Sequence, residues 1–449
     1  MRGALAGLAV VWASALGAAE FTTLKGHGGP VMALAVSPEG RVASASFDNS
    51  VGVWRGRVPV WLEGHEAAVT SVAWGLDGML ASGGDDFAVR LWEVGHEVPP
   101  DQVRGRPSQV RDGVEIVADV GRELGRHRGK VAALAFAPSG DWLASGSWDG
   151  SVRLWSLDGD ETRTLAAPGT AVNALACVGD EVLLAGTAAG EILRYDLSTG
   201  EALPLVRHGF GVNTLVVGDG WIAYGAVDGG TRIVDMEGRE IADFTLDRRP
   251  ILAMAWHAET QQLAVGDGQG FIMIVDTQDW QIARDFRATR EGPVWALDFG
   301  PAGEMIYASG IDDLAYGWPV ASLDAFAPGI TGDRSFLRDA ATMPNGERQF
   351  MRKCSICHAL EAGPSRKAGP SLYGVFGRPA GSLPGYAYSD RLQGAPIVWG
   401  EDTIDALFDQ GPDHYIPGSK MPMQVIAGAE DRADLIAFLK TATAKEPAE

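Results

Sequence analysis

Leu143-Ala144-Ser145-Gly146-Ser147-Trp148-Asp149-Gly150-Ser151-Val152-Arg153-Leu154-Trp155 is a run of apolar and small residues, an Asp-Gly turn, and a second apolar run ending in Trp. This pattern reads as two strands joined by a tight turn. The frame occurs twice upstream, as Val42 to Asp48 with Val51 to Trp54, and as Leu80 to Asp86 with Val89 to Trp92. In all three, Ser precedes Asp by four residues and Asp precedes Trp by six, and a His stands ahead at His27, His65 and His127. Self-similarity at a spacing of roughly 40 residues marks a repeat architecture whose units share one continuous core.

Four further segments keep the hydrophobic skeleton: Val172 to Asp196, Val212 to Asp235, Ile251 to Asp276 and Val294 to Trp318. His208 and Asp228 survive in the second of these; the last keeps Asp312 and Trp318 but has Ala308 where Ser would stand. The seven repeats resemble the WD-repeat β-propeller family, with four strands per blade. The resemblance implies that His27-Ser44-Asp48-Trp54, His65-Ser82-Asp86-Trp92 and His127-Ser145-Asp149-Trp155 bond in series, satisfying buried polar groups and fixing blade geometry. A His–Asp pair beside a Ser also has the makings of a hydrolase triad. Its recurrence in three copies argues for a structural device instead.

A closed ring needs its seam covered, because unpaired strand edges are a liability. Phe21-Thr22-Thr23-Leu24 precedes the first repeat and is expected to pair with the last blade. The interval from Trp92 to Trp155 is about 25 residues longer than its neighbours, and the added segment, 97–119, reads as a surface loop or an extra hairpin.

Beyond the repeats stands Cys354-Ser355-Ile356-Cys357-His358. Two thiols one helical turn apart, followed at once by His, is the attachment pattern for a c-type haem: two thioether bonds and an adjacent imidazole for the iron. A zinc half-site would need a second Cys pair, and the third cysteine, Cys177, sits in an apolar run that reads as core.

Residues 346 to 440 resemble the class I cytochromes c. The likeness rests on Gly346 and Phe350, the haem motif, Gly369-Pro370 and Leu372, Gly377-Arg378 and Gly381, and Pro384-Gly385-Tyr386 with Tyr388. Trp399-Gly400, Pro417-Gly418-Ser419-Lys420-Met421 and the terminal helix through Leu439 complete it. The resemblance implies one covalent haem c with His358 and Met421 as axial iron ligands, Met423 being the alternative sulfur. The Pro370 carbonyl would accept the imidazole N–H, and Arg378, Tyr388, Trp399 and Ser419 would serve the propionates. Gly346 and Phe350 would pack on Leu435 and Phe438. Leu407 stands where the family often has a Tyr bonding the Met sulfur, which leaves that ligand less supported.

The chain has 449 residues, 46% hydrophobic and 21% charged, an ordinary globular balance. The net charge of −21 argues against nucleic acid as a partner. The C-terminal domain is only slightly negative, so the excess lies on the repeats. Arg2, the apolar run Leu5 to Leu16 and small Gly17-Ala18-Ala19 read as a cleavable secretory leader, too short to span a bilayer. No integral membrane segment is expected after cleavage.

The expected organisation is multidomain: a leader (1–19), an all-β seven-bladed propeller (20–325), a linker (326–342) and an all-α class I cytochrome c domain (343–449). The expected function is periplasmic single-electron transfer to or from a protein such as a respiratory donor, oxidase or reductase, with the propeller as docking scaffold. Lys353 and Lys420 flank the ligand motifs at the expected haem edge. The alternative is an oxidoreductase whose propeller binds a substrate or second cofactor.

Overall fold

The computed structural model describes residues 20–94, 108–111, 114–117, 121–159, 161–289, 292–325, 342–355, 357–363, 367–386, 388–389, 391–419, 421 and 424–444. The leader, the linker through residue 341, most of the insertion, Lys420 and Met423 lie outside them.

Seven four-stranded antiparallel sheets form the propeller. Six take their strands from consecutive sequence: Val31 to Glu63, Val69 to Arg126, Val131 to Thr164, Val172 to Arg207, Val212 to Asp243 and Ile251 to Arg287. The seventh joins Val294–Phe299, Met305–Gly310 and Leu314–Pro319 to the N-terminal strand Thr22–Lys25, which pairs antiparallel with Leu314 to Gly317. The ring is thus closed as the sequence implied. Leu24 is buried in one cluster with Val31, Trp54 and Ala315, so the closing strand joins the first and last blades through the core as well as through backbone bonds. The insertion contains the hairpin Ser108–Arg111 with Val114–Val117, placed between the third and fourth strands of the second blade.

Blade-to-blade spacing has a repeated cause. On the second strand of blades 2 to 6, Gly83, Gly146, Gly186, Gly225 and Gly266 each face the first inner-strand residue of the next blade, namely Val131, Val172, Val212, Ile251 and Val294. A Cβ at Gly146 would lie 2.6 Å from Val172 Cγ1, and one at Gly266 2.7 Å from Val294 Cγ1. These are distances no packed core accepts. The absent side chain therefore sets how closely neighbouring sheets approach. Asn173 and Asn213 add bonds across the gap, donating from Nδ2 to the carbonyls of Val212 (3.0 Å) and Ile251 (2.9 Å).

The first two polar networks form as expected. Trp54 Nε1 donates to Ser44 Oγ (2.7 Å), Ser44 Oγ donates to His27 Nε2 (2.7 Å), and His27 Nδ1 donates to Asp48 Oδ2 (2.9 Å). The second blade repeats this through Trp92, Ser82, His65 and Asp86. The third differs. His127 Nδ1 donates to Ser151 Oγ (2.7 Å), which donates on to Asp149 Oδ1 (2.6 Å), while the direct His127–Asp149 separation is 3.7 Å. A hydroxyl has been inserted into the chain, and Asp149 sits further out. In the fifth blade the pair is not lost: His208 Nε2 donates to Asp228 Oδ1 (3.1 Å), and Tyr224, at the Ser position, approaches His208 Nδ1 from its hydroxyl (3.4 Å). In the seventh, Tyr316 donates to Asp312 (2.9 Å), but Trp318 Nε1 is buried without a hydrogen-bond partner among the described residues, because Ala308 has no hydroxyl.

The C-terminal domain contains helices α1 (Asn345–Lys353), α2 (Glu401–Gln410), α3 (Pro412–Tyr415) and α4 (Ala429–Ala442). No described helix is long and apolar enough to cross a membrane. Helices α1 and α4 cross at Gly346, where a Cβ would collide with the Asp434 carbonyl and lie 2.9 Å from Phe438 Cβ. Phe350 stacks obliquely on Phe438, centroids 5.5 Å apart, over buried Leu435. The expected helix crossing is present.

Candidate functional site

The last turn of α1 delivers Cys354 at its C-cap, where the backbone N–H still bonds Phe350. The chain continues in helical turns, the amides of Cys357 and His358 both reaching back to the Cys354 carbonyl (3.0 and 2.9 Å). This compact turn presents both sulfurs and the imidazole to one cavity of about 350 Å³. The walls include Leu372, Ile404, Leu407 and Phe408, which are part of the domain's apolar core.

His358 is held from behind. Its Nδ1 donates to the Pro370 carbonyl at 2.8 Å, leaving Nε2 as the free lone pair. Burial holds the imidazole's pKa below its usual value, and the Pro370 bond opposes that. Gly369 makes the fit possible, since a Cβ there would run into the ring at Cε1 and lie 2.7 Å from Nδ1. Burial pushes the Cys354 thiol up to about 12 and raises Cys357 in the same direction. Among the described residues, no group of three or more His, Cys, Asp or Glu is placed to hold a metal ion.

Of the other residues singled out from sequence for the haem, Pro370, Arg378, Tyr388, Trp399, Ser419 and Met421 line the same cavity, while Met423 and Lys420 lie outside the described residues. Arg378 is anchored by donating to the carbonyls of Tyr373 (3.0 Å) and Ser371 (2.7 Å), and burial lowers its pKa. The backbone of Trp399 is paired with that of Arg378 and Gly377. Ser419 Oγ is buried without a partner among the described residues. Such orphan groups call for a polar ligand atom. An anionic group brought into this apolar cavity would meet Arg378, Tyr388 and the Ser419 hydroxyl. The residues therefore fit a haem with two buried propionates. Lys353 also lines the cavity.

Two residues were not anticipated. Ser389 Oγ is a second buried hydroxyl without a partner among the described residues, on the same wall. Tyr386 donates to the Ala368 carbonyl (2.6 Å) and meets Tyr388 edge to face, which orients Tyr388. The Gly-Tyr-x-Tyr spacing was the available signal for Tyr386, whereas nothing local marks Ser389.

Residues 344–443 match the family described as cytochrome c, and residues 19–55, 57–93 and 119–156 match the WD domain, G-beta repeat. The repeat matches coincide with the three blades whose His and Ser residues are intact, although the structure has seven blades. Among similar proteins are cytochrome c of Sesamum indicum, 46% identical over 101 residues, spanning 22% of this chain and 89% of that protein. Cytochrome c of Chlamydomonas reinhardtii is 44% identical over 105 residues, 23% of this chain and 93% of that protein. Cytochrome c of Euglena viridis is 41% identical over 96 residues, 21% of this chain and 92% of that protein. With about nine-tenths of a cytochrome c matched and a cavity that fits its cofactor, the chain belongs to the cytochrome c family, carrying covalent haem c in a domain fused to a WD-repeat propeller.

Proposed function

We propose that this protein is a periplasmic electron carrier whose haem iron is ligated by His358 and Met421, with the propeller serving as a protein-docking scaffold. The observation that carries the reading is that Cys354, Cys357, His358 and Met421 line a single cavity. Haem c supplies one-electron chemistry at its iron, and His/Met ligation favours a high potential. The chain's own part is to orient and exclude. Pro370 fixes the imidazole tautomer and raises its basicity. Leu372, Leu407 and Phe408, apolar on the cavity wall, would exclude water from a bound haem. Arg378, Tyr388, Trp399 and Ser419, joined by Ser389, would offset propionate charge. Leu407 offers no hydroxyl to the Met sulfur, so packing alone would hold that ligand. The secretory leader expected from residues 1–19 would agree with haem attachment outside the cytoplasm.

Among the described residues, the propeller histidines His27, His65, His127, His208 and His257 are each engaged in hydrogen bonds, which favours a scaffold over a second redox centre. The test is to export the chain from a host with the c-type maturation machinery. One haem per chain, a sulfur-ligand charge-transfer band in the ferric form, and rapid reduction by a respiratory donor are expected. Slow exchange with every respiratory donor, oxidase and reductase tried would refute the carrier role.

A further inference from the structure

The cavity that fits the haem is not walled by the cytochrome domain alone. Phe47 and Asn49 of blade 1, Glu66, Ala67 and Ala68 on the loop entering blade 2, and Asp85 of blade 2 line it together with Lys353, Cys354 and Cys357. These propeller residues belong to two kinds of segment, the entering loops and the turns between second and third strands, which converge at one end of the ring.

The ring supplies its own control. Phe47, Trp148 and Val227 occupy the same turn position, each directly before the network Asp. Trp148 is 56% exposed and Val227 48%, whereas Phe47 is half-buried at the cavity. Asn49 Oδ1, beside Phe47, is buried without a hydrogen-bond partner among the described residues. Lys353 of the cytochrome domain and Glu66 and Asp85 of the propeller line the same cavity. Lys367 donates to the Ser355 carbonyl (2.7 Å); burial depresses its pKa, and Asp313 and Asp48 of the propeller pull it back up. Blades 7 and 1 thus set Asp313 and Asp48 near Lys367, and blade 2 adds Glu66 and Asp85 to the cavity wall that also holds Lys353.

We propose that this end of the propeller is a built-in lid, docked on the Cys354–Cys357 face through the wall of Phe47, Asn49, Glu66 and Asp85, so that a protein redox partner reaches the haem only when that contact opens. Electron exchange needs close approach, and the covered face carries the two cysteines that would hold the haem. Charge attraction at such a contact is weak and salt-sensitive on its own. A tether raises the effective concentration of the two faces to about the millimolar range. The clause about redox partners rests on the electron-carrier reading; the lid itself does not.

The test uses the full-length haem-loaded protein and the pair Glu66→Lys with Asp85→Lys, against a control pair, Glu201→Lys with Glu237→Lys, of equal charge change at the opposite end of the ring. Two quantities are read: the radius of gyration by solution scattering, and the ratio of haem reduction rates by a reduced blue-copper protein and by ascorbate. The lid predicts that the first pair, or raised salt, expands the particle and raises the ratio by about fivefold or more, while the control pair does neither. An unchanged radius and ratio in the first pair, with a native haem spectrum, would overturn the lid. Expansion without any change in the ratio would keep the dock but refute gating. Failure of the copper protein to reduce any variant would count against the carrier reading, and scattering would still decide the lid.

Discussion

His358 Nδ1 lies 2.8 Å from the carbonyl oxygen of Pro370, and the residue between the haem turn and that carbonyl, Gly369, leaves no room for a side chain against the ring. One peptide segment thus sets both the tautomer and the position of the imidazole.

Gly369→Ala tests that coupling. The new methyl would press on the ring at Cε1 and lie 2.9 Å from the Cys357 carbonyl, so ring or backbone must shift. A loss of about 1–3 kcal/mol in the stability of the cytochrome domain is expected, with a weakened sulfur-ligand band. Denaturation followed at the haem absorbance measures the first, and the ferric spectrum the second.

Met421→Ala removes the proposed sixth ligand from the cavity wall. The sulfur charge-transfer band should vanish and the reduction potential should fall, since the Met/His pair is what raises it. Thioether attachment through Cys354 and Cys357 should be retained. Persistence of the band in Met421→Ala would transfer the ligand role to Met423.

Ala308→Ser should stabilise the propeller by about 1 kcal/mol by giving Trp318 Nε1 an acceptor. The converse change, Ser44→Ala, leaves His27 and Trp54 each short of a bond they make at 2.7 Å. A loss of about 2–4 kcal/mol is expected. Chemical denaturation followed by tryptophan fluorescence compares the two.

His127 makes propeller stability depend on pH. Its pKa in the fold is pushed down to about 4 from 6.5, chiefly by burial and then by Arg153. The unfolded chain therefore binds this proton first. The stabilisation is fully present above about pH 6.5 and is lost as pH falls through about 4, up to roughly 3 kcal/mol. Denaturant titrations between pH 7 and 4 should show that slope, and His127→Asn should flatten it.

Leu24→Ala probes ring closure. Leu24 is 3% exposed between the first and last blades. A cavity there should cost about 2–4 kcal/mol, measured as a lower denaturation midpoint. Little change would mean that the closing strand acts through backbone pairing alone.

The amino-acid sequence by itself determined the blade number, the closing strand and the haem turn. Those features are written in short-range patterns: Ser, Asp and Trp at set offsets in three repeats, a recurring hydrophobic skeleton in four more, a short strand-like run ahead of the first His, and Cys-x-x-Cys-His. Side chains that must meet within one sheet or one helical turn leave such spacing behind. Local sequence also marked Ala308 as a break in the pattern, but only the packed blade showed the cost, a buried indole N–H left without an acceptor. The Ser151 relay and the Tyr224 substitution likewise depend on how far a carboxylate reaches in a given turn, which offsets do not encode. Ser389, Phe47, Glu66 and Asp85 became part of the haem surroundings only in three dimensions. No spacing rule relates a loop near residue 66 to a cysteine near 357, because their meeting depends on ring closure and on how the two domains pack.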